Sequence, residues 1–223
     1  MPTTFCDFCD EFRGRRNNSF HRIYADDPRS RLLLRSADFA ILPTLGQITE
    51  GYLLLAPIEH FTCFGDLSNI LLERSASLSA SITASLTAEY GSCILFEHGT
   101  RSSDAGGCGI SHAHLHAVPI PVDLDPVESL RTRFPHRQLT DFREIMSSSK
   151  GLPGYLFYQD SLSRPFLFEV GSLPSQFMRK ILAEALGTED WDWRIAQREQ
   201  RLIATSNRLM PYFSTRSNLY TGD

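Results

Sequence analysis

The run GGCGISHAHLHAVPI, residues 106–120, sets three of the chain's seven histidines at alternate positions directly after a cluster of glycines. No other stretch restricts the fold as much. Alternation is the period of a β-strand, in which successive side chains point to opposite faces. His112, His114 and His116 are therefore expected on one face, and Ala113, Leu115 and Ala117 on the other, where small apolar residues suit packing on a helix. Pro119 and Pro121 end the strand. Imidazoles buried on a sheet face need partners. A solvent-exposed histidine row, a metal triad and a catalytic histidine all fit these residue types. Ligands at i and i+2 of one strand lie about 6.6 Å apart, so at most one or two of the three can share an ion. Gly106, Gly107 and Gly109 favour catalysis. Such a loop can turn several backbone N–H groups into one concavity that holds an anion such as phosphate. A neutral imidazole beside a phosphate is a nucleophile at pH 7, provided its second nitrogen is held, for example by a backbone carbonyl.

The surrounding pattern supplies a framework. RLLLRS (31–36), FAILPT (39–44) and ITEGYLLLAP (48–57) read as neighbouring strands, with a turn at Gly46. From Asp66 to Tyr90 there is no Pro or Gly, and apolar residues recur at helical spacing. One long helix is expected there, with Asp66 as its N-cap and Gly91 as its stop. SCILFEHG (92–99) is a further strand, followed by the loop TRSSDAGGCG and the histidine strand. Strand–strand–helix–strand–strand implies an α+β fold with a mainly antiparallel sheet. Residues 1–121 read as the chemical module, and 122–223 as an appended C-terminal α/β extension. The extension carries a strand pair, GYLFYQD and RPFLFEVG, an amphipathic helix ended by Gly187, and a second helix over DWDWRIAQREQRLIATSNRLM (190–210).

Composition narrows the function. Apolar residues make up 42% and charged residues 22%, and the formal net charge is −4, so no basic surplus points to a nucleic-acid partner. No apolar run approaches the roughly 18 residues of a membrane span. MPTTFCDFCDEFRG has neither the basic nor the apolar region of a secretory signal, so a cytoplasmic location is expected. Five cysteines then read as reduced thiols or metal ligands. Cys6 and Cys9 have zinc-knuckle spacing, which redox chemistry or chance also produces. Cys63 and Cys93, in apolar surroundings, read as core thiols, and Trp191 and Trp193 as packing anchors.

Taken together, these motifs resemble the histidine-triad (HIT) superfamily of nucleotide hydrolases and transferases. HAHLHAV fits the His-φ-His-φ-His-φ-φ pattern, where φ is apolar. GYLLLAPIEH (51–60) is similar to the family's Gly-x-φ-φ-φ-x-Pro-x-x-His segment, and CDFC to the Cys-x-x-Cys of its zinc-containing members. The likeness covers roughly residues 5–121. It implies a HIT-like fold and a homodimer. It makes His114 the nucleophile that attacks the α-phosphorus of a nucleotide and forms a covalent nucleotidyl-histidine. His116 would contact the phosphate or leaving group. Backbone groups of Gly107, Cys108 and Gly109, with the Ser111 hydroxyl, would stabilise the phosphoryl oxygens. Cys6, Cys9, His60 and His112 would hold a structural Zn2+.

Two positions qualify the substrate. GCGISHAHLH is similar to the Gly-Cys-Ser-x-x-His-x-His run of galactose-phosphate uridylyltransferases, with Cys108 at their Cys. Those transferases carry Gln where this chain has His116. Hydrolysis of a nucleoside 5′-phosphoanhydride, ester or amidate is expected ahead of nucleotidyl transfer or phosphorolysis. A non-catalytic nucleotide-binding or RNA-processing module is the remaining alternative. Thr44 stands where simple HIT hydrolases often place a ribose-binding Asp, so ribose recognition is expected to differ. Glu97 matches a position where relatives put a polar phosphate neighbour. Arg101 suits either a leaving-group contact or solvent.

Overall fold

The computed structural model describes residues 6–24, 30–101, 109–171 and 173–214. Cys6 precedes helix α1 (Asp7–Phe12), and its carbonyl accepts the Asp10 N–H at 3.0 Å. Helix α2 (Ser19–Ile23) is capped by Asn18, whose side chain accepts the His21 N–H. Strands β1 (Leu34–Arg35), β2 (Phe39–Pro43) and β3 (Leu53–Pro57) follow, then helix α3 (Asn69–Tyr90), β4 (Cys93–Thr100) and β5 (Leu115–Pro119). The C-terminal part adds α4 (Val127–Arg133), β6 (His136–Gln138), the short α5 (Ile145–Ser148), β7 (Gly154–Gln159), β8 (Pro165–Glu169), α6 (Phe177–Ala185) and α7 (Glu199–Ser214).

The eight strands of the described residues form one sheet in the order β1-β2-β3-β5-β4-β7-β8-β6. Every pairing is antiparallel. The α+β class with an antiparallel sheet is thus as expected. Position 121 falls within this layout. β7 of the C-terminal part pairs along β4 from Leu95↔Gln159 to Thr100↔Gly154, so both parts share one sheet. Apolar side chains bury both faces. Leu78, Ile82 and Leu86 of α3 pack with Leu53, Leu95, Leu115 and Phe157 on one face. Phe8 and Phe12 of α1, and Phe177 and Leu182 of α6, pack with Leu54, Phe96, Val118 and Phe168 on the other. A strand covered on both faces is apolar throughout, as FAILP and LLLAP are.

Three elements differ from expectation. Helix α3 is capped two residues later than Asp66, at Ser68. Asp66 ends a 3-10 turn (Phe64–Asp66), and Ser68 caps the helix by accepting the Leu71 N–H. Serine and aspartate are equivalent caps by type, and Asp66 is taken by the Arg101 guanidinium at 2.8 Å. The histidine strand is shorter than its sequence pattern. Its ladder starts at Leu115, because the Ala113 N–H is donated to Phe61 O at 2.7 Å. The last helix starts at Glu199, not 190. The Asp192 carboxylate accepts the Arg194 N–H, and Arg198 has φ +45°, which together turn the chain before it.

A buried acid lies on the α3 side of the sheet. Glu97 accepts the Phe64 N–H at 2.7 Å and the Tyr155 O–H at 2.7 Å. Burial pushes its pKa up to about 7. The protonated form is favoured in the fold, so this contribution is complete below the ordinary carboxylate pKa near 4.5 and is lost as pH rises through 7. Between pH 5 and 8 the wild type should therefore lose stability relative to Glu97→Gln, by on the order of 3 kcal/mol. Urea midpoints of the two proteins at each pH measure this difference; parallel profiles would contradict it. Comparison with the variant is needed because burial lowers the pKa of His112, His114 and His116, which acts in the opposite sense.

Candidate functional site

Alternation carries the three histidines to one side, although only His116 lies in the ladder. Ala113, Leu115 and Ala117 join the α3 core. On the opposite side the edge of the Phe8 ring meets both His112 (5.5 Å) and His114 (5.4 Å). The same rule corrects the expectation for Glu97. Phe96 and His98 share the histidine side, so Glu97 faces away from it. Arg101 is likewise structural: besides Asp66 it donates to Ser149 O and Leu152 O, at 2.8 and 3.0 Å.

The first histidine belongs to a four-residue cluster. Ligand atoms of Cys6, Cys9, His60 and His112 all lie within 4.8 Å of one another, and the cluster could hold a metal ion. One turn of α1 brings the two sulfurs to the same side. His60 follows the end of β3, and His112 Nε2–H donates to Pro57 O at 2.8 Å. That bond leaves Nδ1 bare and aimed at the sulfurs. Nδ1 lies 3.4 Å from Cys6 Sγ and 3.7 Å from Cys9 Sγ, and His60 Nδ1 lies 3.4 Å from Cys9 Sγ. A tetrahedral zinc with ordinary Zn–S and Zn–N bonds requires S···N edges of about 3.6 Å, so the donor set and its spacing fit that ion. Burial lowers His112 to about 4, keeping it neutral, as a ligand must be. Burial and the neighbouring Cys6 push the Cys9 thiol up to about 12, so binding there must displace a proton.

The second and third histidines are buried at the floor of a cleft. His114 Nδ1–H donates to the His112 carbonyl at 2.6 Å, which fixes the tautomer and leaves Nε2 with its lone pair. Its ring lies 4.6 Å from that of His116. His116 stands in register between Leu54 of β3 and Phe96 of β4. It stacks on Phe96 at 4.3 Å, and its Nδ1 is 2.7 Å from the Tyr52 hydroxyl. Burial holds both rings below the ordinary histidine pKa and therefore neutral.

Of the residues expected to cradle phosphate, Gly109 lines this cleft. A Cβ there would lie 2.9 Å from Trp193 Nε1, so a side chain at 109 would crowd the cleft wall. Ser111 is exposed and lines no part of it. Gly107 and Cys108 lie outside the described residues. Thr44 is buried in the wall, and its hydroxyl donates to Leu45 O at 3.2 Å.

Much of the remaining wall was missed in the sequence, because it comes from the C-terminal part: Gln176, Met178, Arg179 and Trp193. One signal pointed there. Arg179 lies three and four residues before Leu182 and Ala183, on the buried stripe of α6, where a charge is out of place. Arg31, also in the wall, gives no such signal. It is held by Glu11 through two bonds of 2.7 Å and is neutralised there.

Comparison with known proteins adds context. No protein-family model matches the sequence. Mouse CWF19-like protein 1 is 25% identical over 165 residues, which cover 68% of this chain. The chain spans only 29% of that relative's length. Among solved structures, a HIT family protein from Bacillus anthracis is 20% identical with a TM-score of 0.40, over 51% of this chain and 72% of that one. A hypothetical histidine triad nucleotide-binding protein from Sulfolobus tokodaii is 16% identical with a TM-score of 0.38, over 65% and 94% of the two chains. No helix among the described residues is long and apolar enough to cross a membrane.

Proposed function

We propose that this chain is a zinc-containing HIT-type enzyme that hydrolyses a nucleoside 5′-phosphoanhydride, ester or amidate through a nucleotidyl-histidine. The observation that carries the proposal is the state of His114. Its Nδ1–H is committed to the His112 carbonyl, and burial keeps the ring neutral, so Nε2 offers a lone pair to a ligand in the cleft. In the first step Nε2 attacks the α-phosphorus. The P–N bond forms, the bond to the leaving group breaks, and the departing atom takes a proton. Water then attacks phosphorus, the P–N bond breaks, and the nucleoside monophosphate leaves with His114 restored.

His116 has a complementary part. The Tyr52 hydroxyl at its Nδ1 fixes the ring, so that Nε2 can hydrogen-bond a phosphoryl oxygen or the leaving atom. Gly109 leaves space for the phosphate, while Gly107 and Cys108, expected to complete the cradle, lie outside the described residues. Ser111, exposed and outside the cleft lining, is given no part in the step. Cys6, Cys9, His60 and His112 would hold the zinc with all four positions filled, which suits a structural ion. A transferase would use the same first step with another acceptor. His116 favours water, since the likeness to transferases fails at that residue.

Incubation with dinucleoside polyphosphates, nucleoside phosphoramidates and nucleotide-sugars tests the assignment. At least one class should yield a nucleoside monophosphate with multiple turnovers. Transfer to a non-water acceptor alone would favour the transferase. The absence of turnover with all three, in zinc-loaded protein, would contradict an enzymatic role.

A further inference from the structure

The scheme above leaves one charged group in the cleft unused. Arg179 of α6 is only 4% exposed, yet it lines the same cleft as His114 and His116. Its Nε donates to Trp191 O at 2.7 Å and its Nη2 to Gly46 O at 2.5 Å. Its guanidinium carbon lies 5.5 Å from the centre of the Tyr52 ring, whose hydroxyl meets His116. Nη1 is buried and makes no hydrogen bond. No carboxylate among the described residues forms an ion pair with this guanidinium. Arg31, in the same wall, differs: Glu11 closes both arms of its fork.

The charge of Asp192 and the Tyr52 side chain act on this guanidinium without closing an ion pair, so the buried Nη1 keeps a free donor, which is costly until a ligand accepts from it. Two backbone carbonyls hold the guanidinium plane in place, so Nη1 is pre-oriented. The group is rigid and always charged, which suits a phosphoryl oxygen better than a flexible lysine would. The other guanidinium in the lining, that of Arg31, is closed by Glu11, and Thr44 and Gln176 carry no charge, so a bound anion has Arg179 as its partner.

We propose that Arg179 is the anion-recognition residue of the cleft: its Nη1 donates to a phosphoryl oxygen of the nucleotide bound beside His114 and His116. The ligand class is a phosphorylated nucleoside, and the discrimination is against the uncharged nucleoside. The C-terminal part thereby supplies a specificity-determining contact to a site whose reacting groups come from β5. This rests on the nucleotide assignment made above, and the test separates the two.

Wild-type protein labelled with 15N-arginine is titrated with each of the four common nucleoside 5′-monophosphates and with the matching nucleosides. The Arg179 side-chain signal is assigned by its loss in Arg179→Lys, or through backbone connectivity if that variant does not fold. It should shift with a monophosphate and stay still with the nucleoside. Arg179→Lys should weaken monophosphate binding at least tenfold and change nucleoside binding less than twofold. A monophosphate that binds the wild type without moving the Arg179 signal overturns the inference, as does unchanged affinity in the lysine variant. If no monophosphate binds, the nucleotide assignment fails, and inorganic pyrophosphate then tests Arg179 alone. A shift keeps the anion site; no shift removes it.

Discussion

Replacing His114 with alanine is expected to lower turnover at least 10⁴-fold while leaving nucleotide affinity within about threefold. A factor of that size corresponds to roughly 5–6 kcal/mol of lost transition-state stabilisation, which is what removal of a covalent nucleophile entails. The asymmetry between rate and binding follows from position. The side chain makes one bond, from Nδ1–H to a main-chain carbonyl, and no ion pair or ladder contact depends on it. His116→Ala should cost less, about 10²–10³-fold, because a group that donates to an oxygen assists the step without carrying it. Rate and affinity are read by steady-state kinetics and calorimetric titration of the same preparations. An alanine variant that keeps a tenth of wild-type turnover would move the nucleophile elsewhere.

The second large effect concerns the metal. Purified protein should contain about one zinc per chain, and Cys6→Ser should lose it. The melting temperature should then fall by about 10 °C, equivalent to on the order of 3 kcal/mol for a chain of this size. Three separate segments meet at the cluster: the start of α1, the turn after β3 and the approach to β5. An ion there ties them together, and without it α1 is held by its apolar contacts, the Glu11–Arg31 ion pair and the bonds from Ser19 to Asp7. Phe8 of α1 touches the rings of both His112 and His114, so loosening the helix should also reduce turnover. Cys93→Ser is the control, since that thiol is buried near Thr83 O on the far side of the sheet. It should shift the melting temperature without releasing metal. Full zinc content in Cys6→Ser would contradict the assigned ligands.

How much of this was legible in the sequence follows from how local each signal is. Period-2 alternation located the histidine side, although the ladder covers only its second half and the chain bends at Ser111 and His112. The Cys-x-x-Cys spacing and two distant histidines converged as the motifs implied. Helix ends were less legible. Asp66 and Ser68 are both good caps, and the choice between them depends on Arg101, which reaches Asp66 from the end of β4. The residues around 190–198 look helical by composition, but a carboxylate that caps its own backbone interrupts them. Least legible was the contribution of the C-terminal part. The charge on the apolar stripe of α6 singles out Arg179, but nothing near it in sequence says that the helix packs beside the histidines. That depends on the pairing of β7 with β4, a long-range event that local patterns do not encode.

The most direct test of the central claim is to mix the zinc-loaded protein with a turned-over substrate, quench within milliseconds in alkaline denaturant, and map the modified peptide by mass spectrometry. The account predicts an added nucleoside monophosphate in phosphoramidate linkage on His114 and on no other residue, absent from His114→Ala. Turnover with an adduct on a different side chain, or with none at any quench time, would contradict it.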